Sequence, residues 1–258
     1  MAALLLALLI TASAVAQTND PVAAEAMVRF VNQERQSRGL PTLVVDQKLV
    51  QAARRHSQLM ASTGEVEHLV AGEPKLTLRL AGLRFDASGE NVARSSSPES
   101  AHDGLMHSPG HRANILDPQY NAIGVAVIRN EQGLYITEDF AHRLPEFSVD
   151  QAEENIAATL NRLRRDIGMP ALGRVAAPEL RSRACSMAAN DRVDPHAGLL
   201  SRGVRDSVAF TALDFAELPD SLNRLKSAPV SKFSVGACYR SSSTYENPVF
   251  WILVVTYQ

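Results

Sequence analysis

An α+β fold is expected of this chain, and three observations lead to it. Apolar residues recur at helical spacing in two stretches near the N-terminus. An alternating pair of segments then reads as an antiparallel hairpin. The same order of segments returns 129 residues later. The chain has 258 residues, enough for one large domain or two small ones.

The first helix is predicted from about Pro21 to Arg38, where Val22, Ala26, Phe30 and Val31 fall near helical spacing. A second runs from Asp46, a favourable N-cap, to Ser62, and Pro98–Met106 reads as a short third helix. The strands are expected near Ala122–Ile128 and Leu134–Phe140, joined through Arg129–Gly133. In the second half, Asn161, Arg164, Gly168, Pro170 and Leu172 repeat Asn32, Arg35, Gly39, Pro41 and Leu43 at a constant offset. A helix ending at Gly, then Pro, then an extended apolar step accounts for the pattern. The segment Ala122–Val127 is echoed by Ser234–Tyr239. A worn repeat is the expectation, against the alternative that helix–Gly–Pro–strand is a common order. The domains expected are 17–145 and 146–258, with the junction in His142–Asp150.

Residues 1–16 read as a secretory signal peptide, an apolar run Ala2–Ile10 followed by Ala14-Val15-Ala16 and a cut before Gln17. No Lys or Arg precedes Arg29, so the usual basic region is missing and a start upstream stays open. A buried N-terminal helix is the other reading. No other segment is apolar enough to span a bilayer, so a secreted or periplasmic protein without a transmembrane segment is expected. The formal charge of −2, with no basic run and few aromatic residues, argues against nucleic acid as a partner. The two cysteines, Cys185 and Cys238, lie on a predicted helix and strand, and both a bridge and two buried thiols are open.

Chemistry concentrates in the first half. Glu90 lies in Gly89–Ala93 (GENVA), His111 in Ser108–Leu116 (SPGHRANIL), and His68 just upstream in EVEHLV. Two imidazoles and a carboxylate suit a divalent metal or an acid/base site. Gly89 and Asn91 are expected to shape a turn, with Asn91 and Asn114 structural and His56 a core or surface histidine. There is no GxSxG, HExxH, Walker A or CxxC motif.

These blocks, with VNQERQSRGLPTLVVDQKLVQAARRHSQLMAS before them and NAIGVAV and YITEDF after, carry a resemblance. From Ala26 to Phe140 the chain resembles the CAP (SCP-like) superfamily of cysteine-rich secretory, antigen 5 and pathogenesis-related proteins, closest to its bacterial branch. The resemblance implies a three-layer α-β-α sandwich around a small antiparallel sheet, present twice with the second copy degenerate. It also implies an open cleft lined by two His and two acidic residues, matched here by His68, Glu90 and His111. The second acidic position reads Ser108, and Leu105 stands where a Trp is usual; Glu138 and His107 are the candidate substitutes. In the second half Asp206 stands opposite Glu90, and His196 is the one histidine after residue 150.

The leading functional expectation is an exported binding module for a small lipid, glycan or peptide ligand. His68, Glu90 and His111, with Glu138, are its candidate ligand-binding residues, and the first three are candidate ligands of a divalent metal such as zinc. A hydrogen-bonded cluster that only orders loops is the alternative for the metal. A metal-dependent hydrolase or peptidase is the alternative function, with Glu90 as base or ligand. A structural or adhesive protein is the third, and the second domain is a candidate surface for a protein partner.

Overall fold

A computed structural model describes residues 17–199, 203–215, 219–245 and 247–258. The signal-peptide reading of residues 1–16 lies outside the described residues. Along the chain come β1 (Thr18–Asn19), α1 (Pro21–Ser37), β2 (Val44–Val45), α2 (Gln47–Thr63), α3 (Leu76–Arg79) and β3 (Phe85–Ser95). Next are α4 (Pro98–His107), α5 (Pro109–Leu116), β4 (Ala122–Asn130) and β5 (Gly133–Arg143). The second half adds α6 (Val149–Asp166), β6 (Gly173–Arg174), α7 (Glu179–Ala189), β7 (Val204–Ala212), α8 (Asn223–Lys226), β8 (Lys232–Arg240) and β9 (Val249–Tyr257).

The described chain divides into two compact units. The first takes the described residues up to Lys75 together with Gly89–Phe140, and the second takes Leu76–Ser88 and Ala141–Gln258. Leu76–Ser88 belongs with the second unit for a physical reason. The Arg84 guanidinium lies over the rings of Phe147, Tyr239 and Phe250 at 5.2, 5.6 and 5.0 Å and donates to the carbonyls of Pro145 and Leu213.

In the first unit, α1 and α2 start where their caps dictate. The Asp20 carboxylate accepts from Ala23 N at 3.0 Å, and Asp46 accepts from Lys48 N at 2.7 Å and Leu49 N at 3.3 Å. The sheet order is β1-β4-β5-β3, and β2 joins β4 in parallel with Val44 opposite Ala122. β4 is buried from Ala122 to Ile128, so helices cover both faces and the arrangement is three-layered. Gly124 marks the closest approach. A Cβ there would lie 2.2 Å from the backbone of Leu49 and Val50, so only glycine lets α2 settle on the strand.

From α6 onward the second unit runs α6-β6-α7-β7-α8-β8-β9, an order like that of α1-β2-α2-β3-α4/α5-β4-β5. Its sheet runs β6-β8-β9-β7, with β6 parallel to β8 and the other pairs antiparallel. A Cβ on Gly236 would lie 2.3 Å from the backbone of Leu180, the same close approach of helix to strand. Side chain by side chain, the recurring residues do the same work in each unit. Asn32 bonds both backbone groups of Leu43, at 3.1 and 2.8 Å, and Asn161 does so to Leu172 at the same distances. Arg35 Nε donates to Pro41 O at 2.8 Å, and Arg164 Nε to Pro170 O at 2.8 Å. Gly39 and Gly168, at φ +72° and +76°, end the preceding helices in the left-handed conformation.

Cys185 on α7 and Cys238 on β8 are joined by a disulfide. Thiol titration of the denatured, unreduced protein is expected to find no reactive thiol, and two per chain would contradict the bridge. The bridge closes a loop of 53 residues. Reduction is therefore expected to cost roughly 4 kcal/mol of stability in the chain-entropy account.

Candidate functional site

Glu90 is held by a strand rather than a turn, which corrects the expectation for GENVA. The segment lies inside β3, and Gly89 has no positive φ. Glycine is needed for space instead. A Cβ at Gly89 would lie 2.5 Å from the Tyr120 hydroxyl and 2.8 Å from Asn114 Oδ1. His111 is on α5, a helix the sequence reading left as a turn-marked segment. Pro109 stands in its first turn, where a missing N–H costs nothing. His68 sits in the loop after α2, which ends at Gly64 in the left-handed conformation, φ 79°.

Successive residues of a strand point to opposite faces, so the side chains of Glu90 and Asn91 part. Glu90 turns toward His68, whose Nδ1 is 3.0 Å from Oε1. The Glu90 side chain is 4% exposed and that of His68 58%. The rings of His68 and His111 are 6.0 Å apart. His68, Glu90 and His111 therefore come together from three separate segments. Burial, and then the nearby charge of His68, lowers the pKa of His111, which favours the neutral imidazole.

Glu138 does not join them. It lies on the Asn91 side of the sheet, completely buried, with Oε2 accepting from Asn91 Nδ2 at 3.0 Å. Its Oε1 is buried without a hydrogen-bond partner among the described residues. Asn91 Nδ2 also donates to His111 O at 3.1 Å, and Asn91 Oδ1 accepts from Asn114 Nδ2 at 2.9 Å. Asn114 in turn donates to Glu90 O at 3.0 Å. Both asparagines are thus structural ties that fix α5 against β3. Arg112 ties α5 to the last turn of α4, donating to Met106 O at 3.2 Å, and His107 turns back to Asp103 O at 2.8 Å.

Two imidazoles with a carboxylate behind one of them are donors that suit zinc by chemistry. In this conformation Glu90 meets His68 as a hydrogen-bond partner, the arrangement of an orienting carboxylate. Among the described residues no three or more His, Cys, Asp or Glu side chains are grouped so as to hold a metal ion.

His56, expected to be a core or surface histidine, is a core one, and its partner Glu73 is a residue the sequence does not single out. His56 is fully buried on α2, with Nδ1 2.6 Å from Glu73 Oε2, Nε2 2.9 Å from Glu67 O and Nε2 3.8 Å from Glu90 Oε2. Nothing in the local sequence pairs residues 56 and 73, because the loop between them makes the pairing.

Asp206, the expected counterpart of Glu90, and His196 lie in the second unit. Asp206 on β7 pairs with Arg224 at 3.2 Å, and Arg224 also donates to Ser207 O. His196 lies in a 3-10 turn, Pro195–Gly198, capped by Asp194.

The fold and the site together define an α+β domain with a histidine–carboxylate cluster between a strand, a loop and a short helix. Residues 28–140 are a CAP domain, matching the profile of the Cysteine-rich secretory protein family. The similar proteins include the Uncharacterized protein YkwD of Bacillus subtilis (strain 168), 35% identical over 117 residues, 44% of this chain and 45% of that protein. The Uncharacterized membrane protein YlbC of the same strain is 31% identical over 117 residues, 44% of this chain and 33% of that protein. The chain thus spans less than half the length of the curated relatives it matches. Among solved structures, an extracellular protein containing a SCP domain from Bacillus anthracis str. Ames is similar, with 28% identity, a TM-score of 0.43, and coverage of 47% of this chain and 41% of that one.

Glu138 gives the site a pH signature. Burial pushes its carboxyl up from 4.5 to about 7, partly offset by the Asn91 hydrogen bond. Between those values the unfolded chain has released this proton while the native state keeps it. The native state then binds more protons, so stability falls as pH rises from 4.5 to about 7 and levels above that. Glu138→Gln cannot ionise. Its stability relative to wild type, from urea unfolding, is expected to rise by about 3 kcal/mol between pH 4.5 and pH 8. A relative stability independent of pH would contradict the assignment.

Proposed function

We propose that the CAP domain is an exported ligand-binding module whose cleft is formed by His68, Glu90 and His111. One observation carries the reading: an exposed imidazole is held on a nearly buried carboxylate, with a second imidazole 6.0 Å across from it. Glu90 accepts from His68 Nδ1 and sets that ring's orientation, while Asn91 sets the backbone of His111. A divalent ion such as zinc suits the two imidazoles, with His68 and His111 holding it and Glu90 orienting. When bound, it would offer a Lewis-acidic face to an oxygen of the ligand. A small lipid, glycan or peptide is the class of ligand proposed.

Export is part of the same reading. The signal-peptide pattern of residues 1–16 supports it, and so does a disulfide, which persists in oxidising compartments. No described helix is long and apolar enough to cross a membrane. The second unit is read as a copy of the first that kept the frame and lost the site. Its strand order and its Asn161 and Arg164 bonds support this, and its surface is then left for a protein partner.

Metal analysis after zinc loading tests the cleft. Wild type is expected to retain one equivalent, and His68→Ala and His111→Ala each to lose it, with circular dichroism unchanged. Equal zinc in both variants, or none in wild type, would rule out the metal. Peptide or ester hydrolysis above a Glu90→Ala background would favour a hydrolase over a binding module.

A further inference from the structure

We propose that His56 and Glu73, buried behind the cleft, are positioning residues that fix the place and tautomer of His68 through the loop that carries it and through Glu90. The proposal deepens the binding reading and rests on it for its purpose, but its test needs no ligand.

The hydrogen bonds of His56 leave little freedom. Its Nε2 is 2.9 Å from the carbonyl oxygen of Glu67, and a carbonyl only accepts, so Nε2 carries a hydrogen. Its Nδ1 is 2.6 Å from Glu73 Oε2, a distance that places one shared proton between the two. The imidazole is completely buried and the Glu73 side chain is 8% exposed, so little water competes for either bond.

The partners of His56 flank His68 in the chain. Glu67 is its immediate neighbour, and Glu73 lies five residues beyond. One imidazole on the rigid α2 therefore grips the loop on both sides of His68. The same Nε2 lies 3.8 Å from Glu90 Oε2, while Glu90 Oε1 meets His68 Nδ1 at 3.0 Å. Glu90 thus stands between an exposed imidazole that it bonds and a buried one 3.8 Å away, whose own Nε2 hydrogen goes to Glu67 O. That placement keeps the carboxylate turned to accept from His68 Nδ1. His68 is then the Nδ1–H tautomer, and its Nε2 is the accepting nitrogen. Removing the grip frees the loop, separates His68 from Glu90, and lets the ring return to the Nε2–H form that free imidazoles favour.

Long-range proton–nitrogen NMR of the imidazoles at neutral pH reads this directly. In wild type, His56 is expected to be protonated at Nε2 and His68 at Nδ1. His56→Phe/Glu73→Leu removes both members of the buried pair together, and the carbonyl of Glu67, an exposed residue, can turn to water. In that folded double variant His68 is expected to become mainly Nε2–H, and zinc affinity to fall by about tenfold or more. Glu73→Gln keeps an acceptor and donor of the same shape beside His56 and is expected to preserve the wild-type tautomer of His68. An unprotonated His56 Nε2 in wild type would overturn the proposal even if no variant folds. So would an unchanged His68 tautomer in the folded double variant. A wild type that binds no zinc, yet shows these tautomers, counts against the metal site alone.

Discussion

The first unit depends on one buried cation whose hydrogen-bond partners among the described residues are backbone oxygens. Arg35 is fully buried, and its guanidinium donates to four carbonyls: Pro41 at 2.8 Å, Ile115 at 2.9 Å, Asp117 at 2.8 Å and Tyr120 at 3.3 Å. Three of these lie at or just beyond the end of α5, where carbonyls lack intrahelical partners and carry the negative end of the helix dipole. Burial pulls the guanidinium's pKa down and the nearby Asp117 charge offsets this, but an arginine stays charged regardless. Arg164 does the same in the second unit, donating to Leu225, Lys226 and Ala228 at 3.0–3.1 Å.

The site follows from that clamp. With the end of α5 fixed, Asn114 falls where it reaches Glu90 O and Asn91, and Asn91 where it reaches His111 O and Glu138. His111 is thereby set across from His68, which is positioned from the other layer by α2 and its following loop. The exposed chemistry of the cleft rests on a buried polar frame, a network whose members are costly to leave unpaired. The second unit keeps the arginine and its carbonyls. There Asp206 pairs with Arg224 at 3.2 Å.

Much of the frame was legible in the sequence. Asp46 before an apolar run, Pro98 at the head of a short helix, and the alternation from Ala122 set helix and strand limits within a few residues of those observed. The recurrence of Asn32, Arg35, Gly39, Pro41 and Leu43 was visible, though not the reason for it. An arginine that bonds carbonyls some 80 residues away leaves no local pattern. α5 was missed because Pro109-Gly110 reads as a turn when only neighbours are weighed. GENVA was taken for a turn because Gly89 and Asn91 are turn formers. There, tertiary crowding by Tyr120 and Asn114 decides the residue, not backbone angle. Glu138 was grouped with the cleft by its place in a motif, and strand alternation puts it on the other face.

The central claim is that the Arg35 clamp holds α5, and through it His111, in place. Backbone hydrogen exchange in Arg35→Lys tests this most directly, because a lysine keeps the charge but cannot reproduce the planar fork of donors. Amides of Pro109–Leu116 are expected to exchange at least about tenfold faster than in wild type while those of α2 hold their protection. Unchanged protection of α5, or an equal loss in both helices, would contradict the account.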